Sequence, residues 1–483
     1  MGIAAETGRP AAPGAADDAR DGQEYWCEFA WLPQGEVAEG VLVRVEGDRI
    51  AAVEPGVLDV PPGAVRLAGL TLPGLANVHS HAFHRALRGR VQDDPGPDPA
   101  SGGPGDFWAW RERMYALAAV LDPDAYLALA RATYAEMALA GITCVGEFHY
   151  LHHGPGGTPY DDPNIMGHAL IQAARDAGLR IALLDACYLT GGIGTRLVGP
   201  QLRFGDGDAD RWAARVEELA AAYADAPDVE IGAAVHSVRA VPAEQMPVVA
   251  EFANRHAVPL HVHLAEQRAE VDACVAAYCA TPAQVLYDRG VLGPRATAVH
   301  ATHLCDVDVA LLGGCSAHVC LCPTTERDLA DGIGPGRRLA EAGCPITLGS
   351  DSQTVIDMFA EARAAEYGER VTTGRRGHWR TAELMRMLTV DGNASLGFPG
   401  AGLLLPGARA DLVSVRLDTP RTAGAGAADA VATVLYAATA ADVHSVVSGG
   451  RRVVADGTHL LGDVGALLRE AIEKIGPFAE TAR

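Results

Sequence analysis

The chain has 483 residues, 49% of them hydrophobic, and a formal net charge of −22 at pH 7. That length allows a large domain with a smaller accessory domain, and the acidic balance argues against nucleic acid, which requires clustered lysine and arginine. No apolar run is long enough to cross a bilayer, no signal-like pattern begins the chain, and the ten cysteines include no Cys-x-x-Cys pair. We therefore expect a cytoplasmic protein with reduced thiols, and neither a nucleic-acid nor a membrane partner.

Two strand-rich regions lie near the ends of the chain. Apolar and polar residues alternate between glycine turns through residues 23–70, and the same alternating pattern occurs in residues 401–460. We predict a small β-sandwich assembled from both regions. A disordered tail, residues 1–22, is expected before it, and a C-terminal helix, residues 461–483, after it.

The central region, residues 71–400, alternates β-type runs with Ala-rich helical stretches. Eight such alternations predict an α/β fold, a parallel (β/α)₈ barrel of the TIM type, in which functional side chains follow the carboxyl ends of the strands. Two glycine-rich segments, residues 91–106 and 189–202, are expected to be loops, and the second is a candidate cover for the barrel mouth. The candidate strands are residues 72–79, 142–148, 180–186, 229–236, 258–264, 296–300, 318–322 and 345–349.

The first barrel strand runs directly into His79-Ser-His81. Side chains alternate along a strand, so residues i and i+2 point the same way, and both imidazoles can be directed at one metal ion. Taken alone, the motif is a weak signal, because such a pair is more often an ordinary pair of solvated or hydrogen-bonded histidines. The residues at the other strand ends favour the metal site.

Three further strands end in residues that suit the same site. The fifth strand ends in His261-Val-His263 and is followed by Glu266, the sixth ends at His300, and the eighth is followed by Asp351. His263 lies nearer the strand end than His261 and is therefore the better ligand. We predict one Zn²⁺ per chain, held by His79, His81, His263 and Asp351, with Fe²⁺ or another divalent metal as alternatives.

Lysine usage bears on the number of metal ions. Lys474 is the only lysine of the chain, so no strand can supply a carbamylated lysine to bridge two ions, and we expect a mononuclear site. Such a metal converts water to a hydroxide nucleophile near neutral pH. Asp351 can accept that water's proton, Glu266 can deliver a proton to a substrate nitrogen, and His300 can polarise the reacting group. Glu266 also fits a carboxylate at a helix start.

The chain resembles the amidohydrolase superfamily in its mononuclear deaminase branch. The pattern that carries the resemblance is His79-x-His81, His263-x-x-Glu266, His300 and Ser350-Asp351. More closely, the chain resembles the formimidoylglutamate deiminase family, through segments that cover nearly the whole barrel. These segments are NVHSHAFHRAL, DFWAWRERMY, GEFHYLHH, AVHSVRAV, PLHVHLAEQ, VHATHL, CPTTERDLADG and LGSDS.

The resemblance implies hydrolysis of N-formimino-L-glutamate to N-formyl-L-glutamate and ammonia, a step of histidine degradation. Such a substrate carries two carboxylates, which the family holds with arginine, histidine and tyrosine side chains. The matching positions are Arg111, Tyr150, His236 and Arg239. Members of the family carry glutamine where this chain has His84. Both side chains can hydrogen-bond a carboxylate, but imidazole is shorter and titrates, so substrate preference and its pH dependence stay open.

Two other functions remain compatible with these residues. A deaminase of a nucleobase or another aminated heterocycle would use the same metal site, but it would need an aromatic or amide-lined pocket, and Arg111 and Arg239 argue against it. A catalytically dead barrel acting as a scaffold would typically have lost metal ligands, and none of the expected ones is missing. For either enzyme we expect a small-molecule partner, a dicarboxylate in the first case, and a homodimeric assembly.

Overall fold

The computed structural model of the chain describes residues 22–92 and 107–476. The tail predicted for residues 1–22 and the loop predicted for residues 91–106 therefore lie almost entirely outside the described residues. The last part of the predicted C-terminal helix, residues 477–483, lies outside them as well.

Sixteen strands within the described residues form two sheets. Four strands precede the barrel, eight form it, and four follow it. In chain order they are β1 Gln23–Trp31, β2 Val37–Glu46, β3 Arg49–Glu54, β4 Val65–Pro73, β5 Leu75–Ser80, β6 Ile142–His149, β7 Arg180–Cys187, β8 Val229–Val235, β9 Leu260–Leu264, β10 Ala296–His300, β11 His318–Leu321, β12 Ile346–Leu348, β13 Leu412–Val415, β14 Val443–Ser448, β15 Arg451–Ala455 and β16 Thr458–His459.

Strands β5 to β12 make an eight-stranded parallel sheet in sequential order, which confirms the predicted (β/α)₈ barrel. Every residue of β6 and β7 is buried, as expected for parallel strands covered on both faces. The hydrogen-bonded ladder is open between β5 and β12. There the two strands meet through an isolated parallel bridge that pairs Ser80 with Asp351.

The first barrel strand begins later than predicted. Leu72 and Pro73 pair with Val413 and Leu412 of β13, so they belong to β4 of the small domain. The chain crosses into the barrel at Gly74, where a Cβ atom would lie 2.1 Å from the side-chain oxygen of Thr143. Apolar character is the same on both sides of this crossing, which is why the sequence pattern merged the end of β4 with β5.

The small domain is built from both chain ends, as predicted. Its strands form one continuous sheet in the order β16-β15-β14-β13-β4-β1-β2-β3. The sheet curves over its own core, which contains Tyr25, Val43 and Leu412. The turn between β2 and β3 lies close to the turn between β14 and β15. A Cβ atom on Gly450 in the second turn would lie 2.2 Å from the carbonyl oxygen of Gly47 in the first.

Fifteen α-helices in the described residues cover the barrel and join it to the small sheet. In chain order they are α1 Phe107–Val120, α2 Pro123–Leu139, α3 Ile165–Ala177, α4 Ala209–Ala222, α5 Met246–His256, α6 Arg268–Tyr278, α7 Pro282–Asp288, α8 Asp306–Gly314, α9 Pro323–Asp328, α10 Gly336–Glu341, α11 Met358–Thr373, α12 Thr381–Leu388, α13 Val390–Ser395, α14 Ala430–Ala437 and α15 Val464–Ile475. None of these helices combines the length and apolarity needed to span a bilayer.

Local sequence explains where individual helices begin and end. Helix α2 begins with Pro123 after Asp122, whose side chain accepts a hydrogen bond from the amide of Ala125 at 2.8 Å. Helix α3 ends at Gly178, which has a φ of 79° and so supplies the left-handed turn that stops the helix. The segment 189–202 packs against α1, since Gln201 donates to the hydroxyl of Tyr115 at 3.0 Å.

Candidate active site

Three imidazoles and one carboxylate converge at the carboxyl ends of β5, β9 and β12. The Nε2 atom of His79 lies 3.1 Å from Nε2 of His263. The Oδ1 atom of Asp351 lies 3.5 Å from Nε2 of both His79 and His81. All four side chains are buried. The structure thus brings together the four residues that the sequence nominated as metal ligands.

The orientation of these imidazoles suits a metal ion. Nδ1 of His81 lies 2.9 Å from the carbonyl oxygen of Phe148, and Nδ1 of His263 lies 2.8 Å from that of His236. A carbonyl only accepts, so each Nδ1 carries the proton and each Nε2 presents a lone pair to the centre of the cluster. Burial lowers the pKa of both imidazoles well below its usual value, which keeps them neutral.

The remaining two groups have the charges that a metal requires. Burial lowers the pKa of His79, although Asp351 opposes the shift. Burial raises the pKa of Asp351, but its hydrogen bond with His79 and the neighbouring imidazoles outweigh this and bring it below the usual value. Neutral nitrogens and one carboxylate oxygen within reach of each other form a donor set that fits Zn²⁺ or a similar divalent ion.

A glycine permits the close approach of β5 and the segment after β12. A Cβ atom on Gly349 would lie 2.7 Å from Cβ of His79 and 2.8 Å from its amide nitrogen. Any side chain at position 349 would push Asp351 away from the histidines. The glycine of the LGSDS segment is therefore explained by the geometry of the cluster.

Glu266 and His300 face each other beside the cluster. Nε2 of His300 lies 3.7 Å from Oε1 of Glu266 and 3.9 Å from Oδ2 of Asp351, while its Nδ1 lies 3.4 Å from Oε1 of Glu326. Burial lowers the pKa of His300, but the three surrounding carboxylates raise it well above its usual value. Burial raises the pKa of Glu266. The pair can therefore hold and exchange a proton next to the cluster.

Arg239 reaches the same cavity but is already engaged by two carboxylates. Its Nε donates to Oε2 of Glu270 at 2.7 Å, and its Nη2 lies 3.4 Å from Oε2 of Glu266. Glu270 is buried and also accepts from the amide of Ala265 at 3.0 Å. A guanidinium has five N–H donors, so these two contacts orient Arg239 without using all of them. Arg239 therefore touches the proposed proton carrier as well as the cavity.

Arg111 presents a different environment. Its guanidinium carbon lies 4.4 Å from the ring centre of Trp108 and 5.3 Å from that of Tyr115, and its Nη2 lies 3.9 Å from Oε1 of Glu112. Its Nε atom is buried and has no hydrogen-bond partner among residues 22–92 and 107–476. The aromatic rings fix the direction of the guanidinium and leave a buried donor to be satisfied by a ligand.

His84 and Tyr150 form a hydrogen-bonded pair between Arg111 and the cluster. Nε2 of His84 lies 3.0 Å from the hydroxyl of Tyr150, which also lies 3.6 Å from the sulfur of Met114. The Nδ1 atom of His84 is buried and has no partner among the described residues. Burial lowers the pKa of His84 to about 3, so the imidazole is neutral at physiological pH.

One cleft connects all of these groups. It holds about 530 Å³ of empty space at the mouth of the barrel. Every residue that the sequence nominated for catalysis, substrate contact or metal binding lines it, except His79, which lies behind the other ligands. The lining residues are His81, His84, Phe107, Trp110, Arg111, Met114, Tyr115, Tyr150, Tyr188, His236, Arg239, His263, Glu266, His300, Leu329 and Asp351.

Sequence reasoning missed several members of this site. Glu326 lies on α9, four residues after Cys322, and Tyr188 directly follows β7, so a search for polar residues after every strand end would have found both. Tyr115 and Glu270 lie within helices, and no local pattern distinguishes them from ordinary helical residues. They enter the site only because α1 and α6 begin at the barrel mouth.

Comparison with known proteins gives a consistent picture. A profile of the Amidohydrolase family matches residues 70–453. Formimidoylglutamate deiminase from Pseudomonas aeruginosa is 35% identical over 451 residues, which make up 90% of this chain and 95% of the relative. The 8-oxoguanine deaminase of the same species is 30% identical over 438 residues, covering 89% of this chain and 93% of that enzyme.

Two solved structures share the architecture. An amidohydrolase from Brucella melitensis superposes with a TM-score of 0.85 at 32% identity, covering 94% of this chain and 99% of its own. An adenosine deaminase from Xanthomonas campestris, solved with bound zinc, has a TM-score of 0.80 at 24% identity and covers 94% of this chain and 98% of its own. The second similarity supports the fold alone.

Proposed function

Because this chain belongs to the amidohydrolase family, we propose that it is a metal-dependent deaminase that hydrolyses N-formimino-L-glutamate to N-formyl-L-glutamate and ammonia. The observation that carries the proposal is the position of Arg111. A partly exposed arginine, whose Nε atom is buried and has no hydrogen-bond partner among the described residues, lies in the same cleft as a cluster of three histidines and one aspartate. The similarity to a formimidoylglutamate deiminase at 35% identity supports the choice of substrate.

The metal of the proposed enzyme would be bound by His79, His81, His263 and Asp351. When bound, a divalent ion such as Zn²⁺ would act as a Lewis acid and lower the pKa of a water molecule towards neutrality. The backbone carbonyls of Phe148 and His236 would hold two of the imidazoles in the required orientation.

The side chains around the cluster divide the proton transfers between them. Oδ2 of Asp351 is turned towards His300 and can take a proton from the attacking water. Glu266 can then protonate the departing nitrogen, which leaves as ammonia. His300, held by Glu326 on its other side at 3.4 Å, can stabilise negative charge as it develops on the reacting group.

The cleft residues outside the metal cluster would bind the two carboxylates of the substrate. Arg111 would pair with one carboxylate, and the donors of Arg239 that Glu270 and Glu266 do not engage would reach the other. Tyr150, His84 and His236 would add neutral hydrogen bonds. Arginine suits this task because its planar fork matches a carboxylate bidentately. A small-molecule dicarboxylate and a homodimeric assembly stay predictions for this protein.

A heterocycle deaminase is the second candidate, and one observation favours it. The cleft is lined by Trp110, Tyr115, Tyr150 and Tyr188, so it has the aromatic surface on which a purine could stack. The 30% identity to an 8-oxoguanine deaminase points the same way. Arg111 argues against it, since a neutral base offers no carboxylate to its guanidinium and buried Nε.

Ammonia release from a panel of substrates separates the two candidates. The panel contains N-formimino-L-glutamate, N-formimino-L-aspartate, guanine and 8-oxoguanine, each tested with metal-loaded protein. We expect the highest kcat/KM for N-formimino-L-glutamate and a lower value for the aspartate analogue, whose second carboxylate is one methylene closer. A higher kcat/KM for a purine would contradict the proposed function and favour the second candidate. Release from none of the four compounds would contradict both.

A further inference from the structure

Three of the four proposed metal ligands come from the two strands that the barrel ladder leaves unjoined. His79 and His81 lie at the end of β5, and Asp351 follows β12. The backbone bonds between these strand ends run from the amide of Asp351 to the carbonyl of His79 at 2.9 Å and from the amide of His81 to the carbonyl of Asp351 at 3.2 Å. We call this junction between the ends of β5 and β12 the seam. The spacing between the Asp351 carboxylate and the imidazoles of His79 and His81 therefore depends on the other contacts that hold the seam together.

Ser80, the residue between the two histidines, points away from the cluster and into a buried network. Its hydroxyl donates to Oε2 of Glu147 on β6 at 2.6 Å, and the other oxygen of Glu147 accepts from the amide of Ala82 at 2.7 Å. Ser80 and Glu147 are fully buried. These bonds secure the chain on both sides of His81 to the neighbouring strand.

Gln353 joins this network to the other side of the seam. Its Nε2 donates to the hydroxyl of Ser80 and to the backbone carbonyl of Asp351, each at 2.9 Å. Its Oε1 accepts from the hydroxyl of Ser350 at 2.8 Å, and that hydroxyl accepts from Nδ2 of Asn77 at 2.7 Å. The amide of Ser350 in turn donates to Oδ1 of Asn77 at 2.9 Å.

This network is complete, and it supports an unusual backbone. The side chains of its five polar residues, Asn77, Ser80, Glu147, Ser350 and Gln353, are fully buried, and none of their polar side-chain atoms lacks a partner. Asp351 and Gln353 have φ angles of 46° and 61°, in the left-handed region that non-glycine residues rarely adopt. Such a conformation persists where surrounding bonds hold it in place.

We propose that Gln353 is a positioning residue for the metal centre, which with Ser80 sets the separation between the Asp351 carboxylate and the imidazoles of His79 and His81. The inference rests on the proposed function in so far as the cluster binds a divalent metal. Gln353 acts through the strand ends and does not itself contact the metal or the substrate. Its loss leaves the four ligands present but widens the seam that holds them at a common centre.

The test uses two variants and one control, all as full-length protein. Gln353→Met removes every hydrogen bond of the amide at similar length, and Ser80→Ala removes the hydroxyl that it contacts. Ser414→Ala is the control, because it removes a largely buried serine that donates to the carbonyl of Ala68 at 2.6 Å in the small sheet. Folding is checked by circular dichroism and thermal unfolding.

Metal binding is measured with Co²⁺ by chelator competition and by its visible d–d absorption. We expect both test variants to bind Co²⁺ about 10-fold more weakly and to show a shifted absorption band, since groups that hold ligands in place typically contribute 10- to 100-fold. Ser414→Ala should match the wild type. Folded Gln353→Met and Ser80→Ala proteins with wild-type affinity and spectrum would overturn the proposal. Wild-type protein that binds no Co²⁺ would instead contradict the proposed function.

Discussion

Glu266 is the residue whose surroundings best suit proton transfer. It lies 3.7 Å from Nε2 of His300 and 3.4 Å from Nη2 of Arg239, and burial raises its pKa. A carboxyl group in this position can hold a proton for a departing nitrogen, whereas the surrounding imidazoles lower the pKa of Asp351 and keep it ionised before the reaction, ready to accept a proton.

We predict that Glu266→Gln lowers kcat by about 10²- to 10⁴-fold, because the shape is kept and the transferable proton is lost. Metal content should be unchanged, as Glu266 is outside the four-residue cluster. Steady-state ammonia release and elemental analysis measure the two quantities. Glu218→Gln, on the exposed face of α4, serves as the control. A near-native kcat in Glu266→Gln would mean that Glu266 is structural.

Arg111 gives a cleaner test of carboxylate recognition than Arg239 does. Removing Arg239 would leave Glu266 and Glu270 without their cation, so Arg239→Met would change the proposed proton carrier together with substrate binding. The stacked guanidinium of Arg111 touches neither of these carboxylates within the described residues.

We predict that Arg111→Met lowers kcat/KM for N-formimino-L-glutamate by roughly one to two orders of magnitude. A loss of this size corresponds to one charge-assisted hydrogen bond, which contributes about 1.5–3 kcal/mol. The loss should shrink for an analogue that lacks the carboxylate held by Arg111. Arg196→Met, at an exposed position of the 189–202 segment, is the matched control. Equal losses for substrates with and without that carboxylate would refute the dicarboxylate assignment.

At the scale of secondary-structure elements, the proposed metal ligands are distributed over β5, β9 and the segment after β12. The sole lysine, Lys474, lies on α15 in an exposed i,i+4 pair with Glu470 at 2.8 Å, away from every strand end. No strand can therefore carry a lysine that bridges two ions.

We predict one tightly bound divalent ion per chain, measured by elemental analysis of protein purified without chelator. His263→Ala should abolish tight binding, because it removes the ligand of β9. His256→Ala, on α5 and bonded to Glu217 at 3.0 Å, should bind one ion like the wild type. Two tightly bound ions per wild-type chain would contradict a mononuclear site.

A buried ionic network ties β7 to α4 behind the cleft. Arg215 contacts Asp185 at 2.8 Å and Asp206 at 2.9 Å, and Asp206 lies 3.1 Å from His153 in the segment that follows Tyr150. Burial raises the pKa of Asp185, but Arg215 outweighs this and lowers it to about 2.

We predict that Arg215→Met lowers the free energy of unfolding near pH 6 by about 3–5 kcal/mol, because two buried carboxylates lose their cation. The ordinary carboxyl pKa is about 3.9, and that of Asp185 in the folded protein is about 2. The contribution of Asp185 to stability is thus complete when the pH is above the ordinary carboxyl pKa, and it is lost as the pH falls through the pKa that Asp185 has in the folded protein. In denaturant titrations from pH 6 to pH 3, the difference in free energy of unfolding between wild type and Arg215→Met should therefore decrease. A difference that does not change with pH would count against this account.

At the scale of the whole molecule, one apolar core joins the barrel to the small sheet. Trp31 and Leu72 from the N-terminal strands and Val446 from β14 belong to the same core cluster as the barrel residues. A buried ion pair crosses the same boundary, since Arg180 at the start of β7 contacts Asp411 before β13 at 2.6 Å.

We therefore predict that the metal-free protein unfolds in a single transition in differential scanning calorimetry. Asp411→Asn should lower Tm without splitting that transition, with a loss of about 3–5 kcal/mol from an uncompensated buried arginine. Asp418→Asn, which affects an exposed pair with Arg416, should change Tm little. Two resolved transitions, in either the wild type or Asp411→Asn, would show that the sheet and the barrel unfold independently.

The amino-acid sequence alone determined the strands and the candidate metal ligands. Period-two and continuous apolar runs are local signals, so seven of the eight barrel strands were located within one or two residues of their bounds, and β5 was the exception because β4 runs into it. His79 and His81 share a face through the pleat of a single strand, and His263, His300 and Asp351 follow strand ends that meet at one rim in a parallel barrel. These inferences need only neighbouring residues and the fold class.

Tertiary structure alone decided which side chains are engaged and which await a ligand. Arg239 and Arg111 are the same residue type, yet Arg239 is bonded to Glu270, 31 positions away, while Arg111 has a buried nitrogen without a partner among the described residues. Gln353 bonds Ser80 across 273 positions, and no local pattern connects them. Hydrogen bonds and ion pairs depend on distances of a few ångströms between side chains, and such distances exist only after the chain has closed the barrel and brought its first and last strands together.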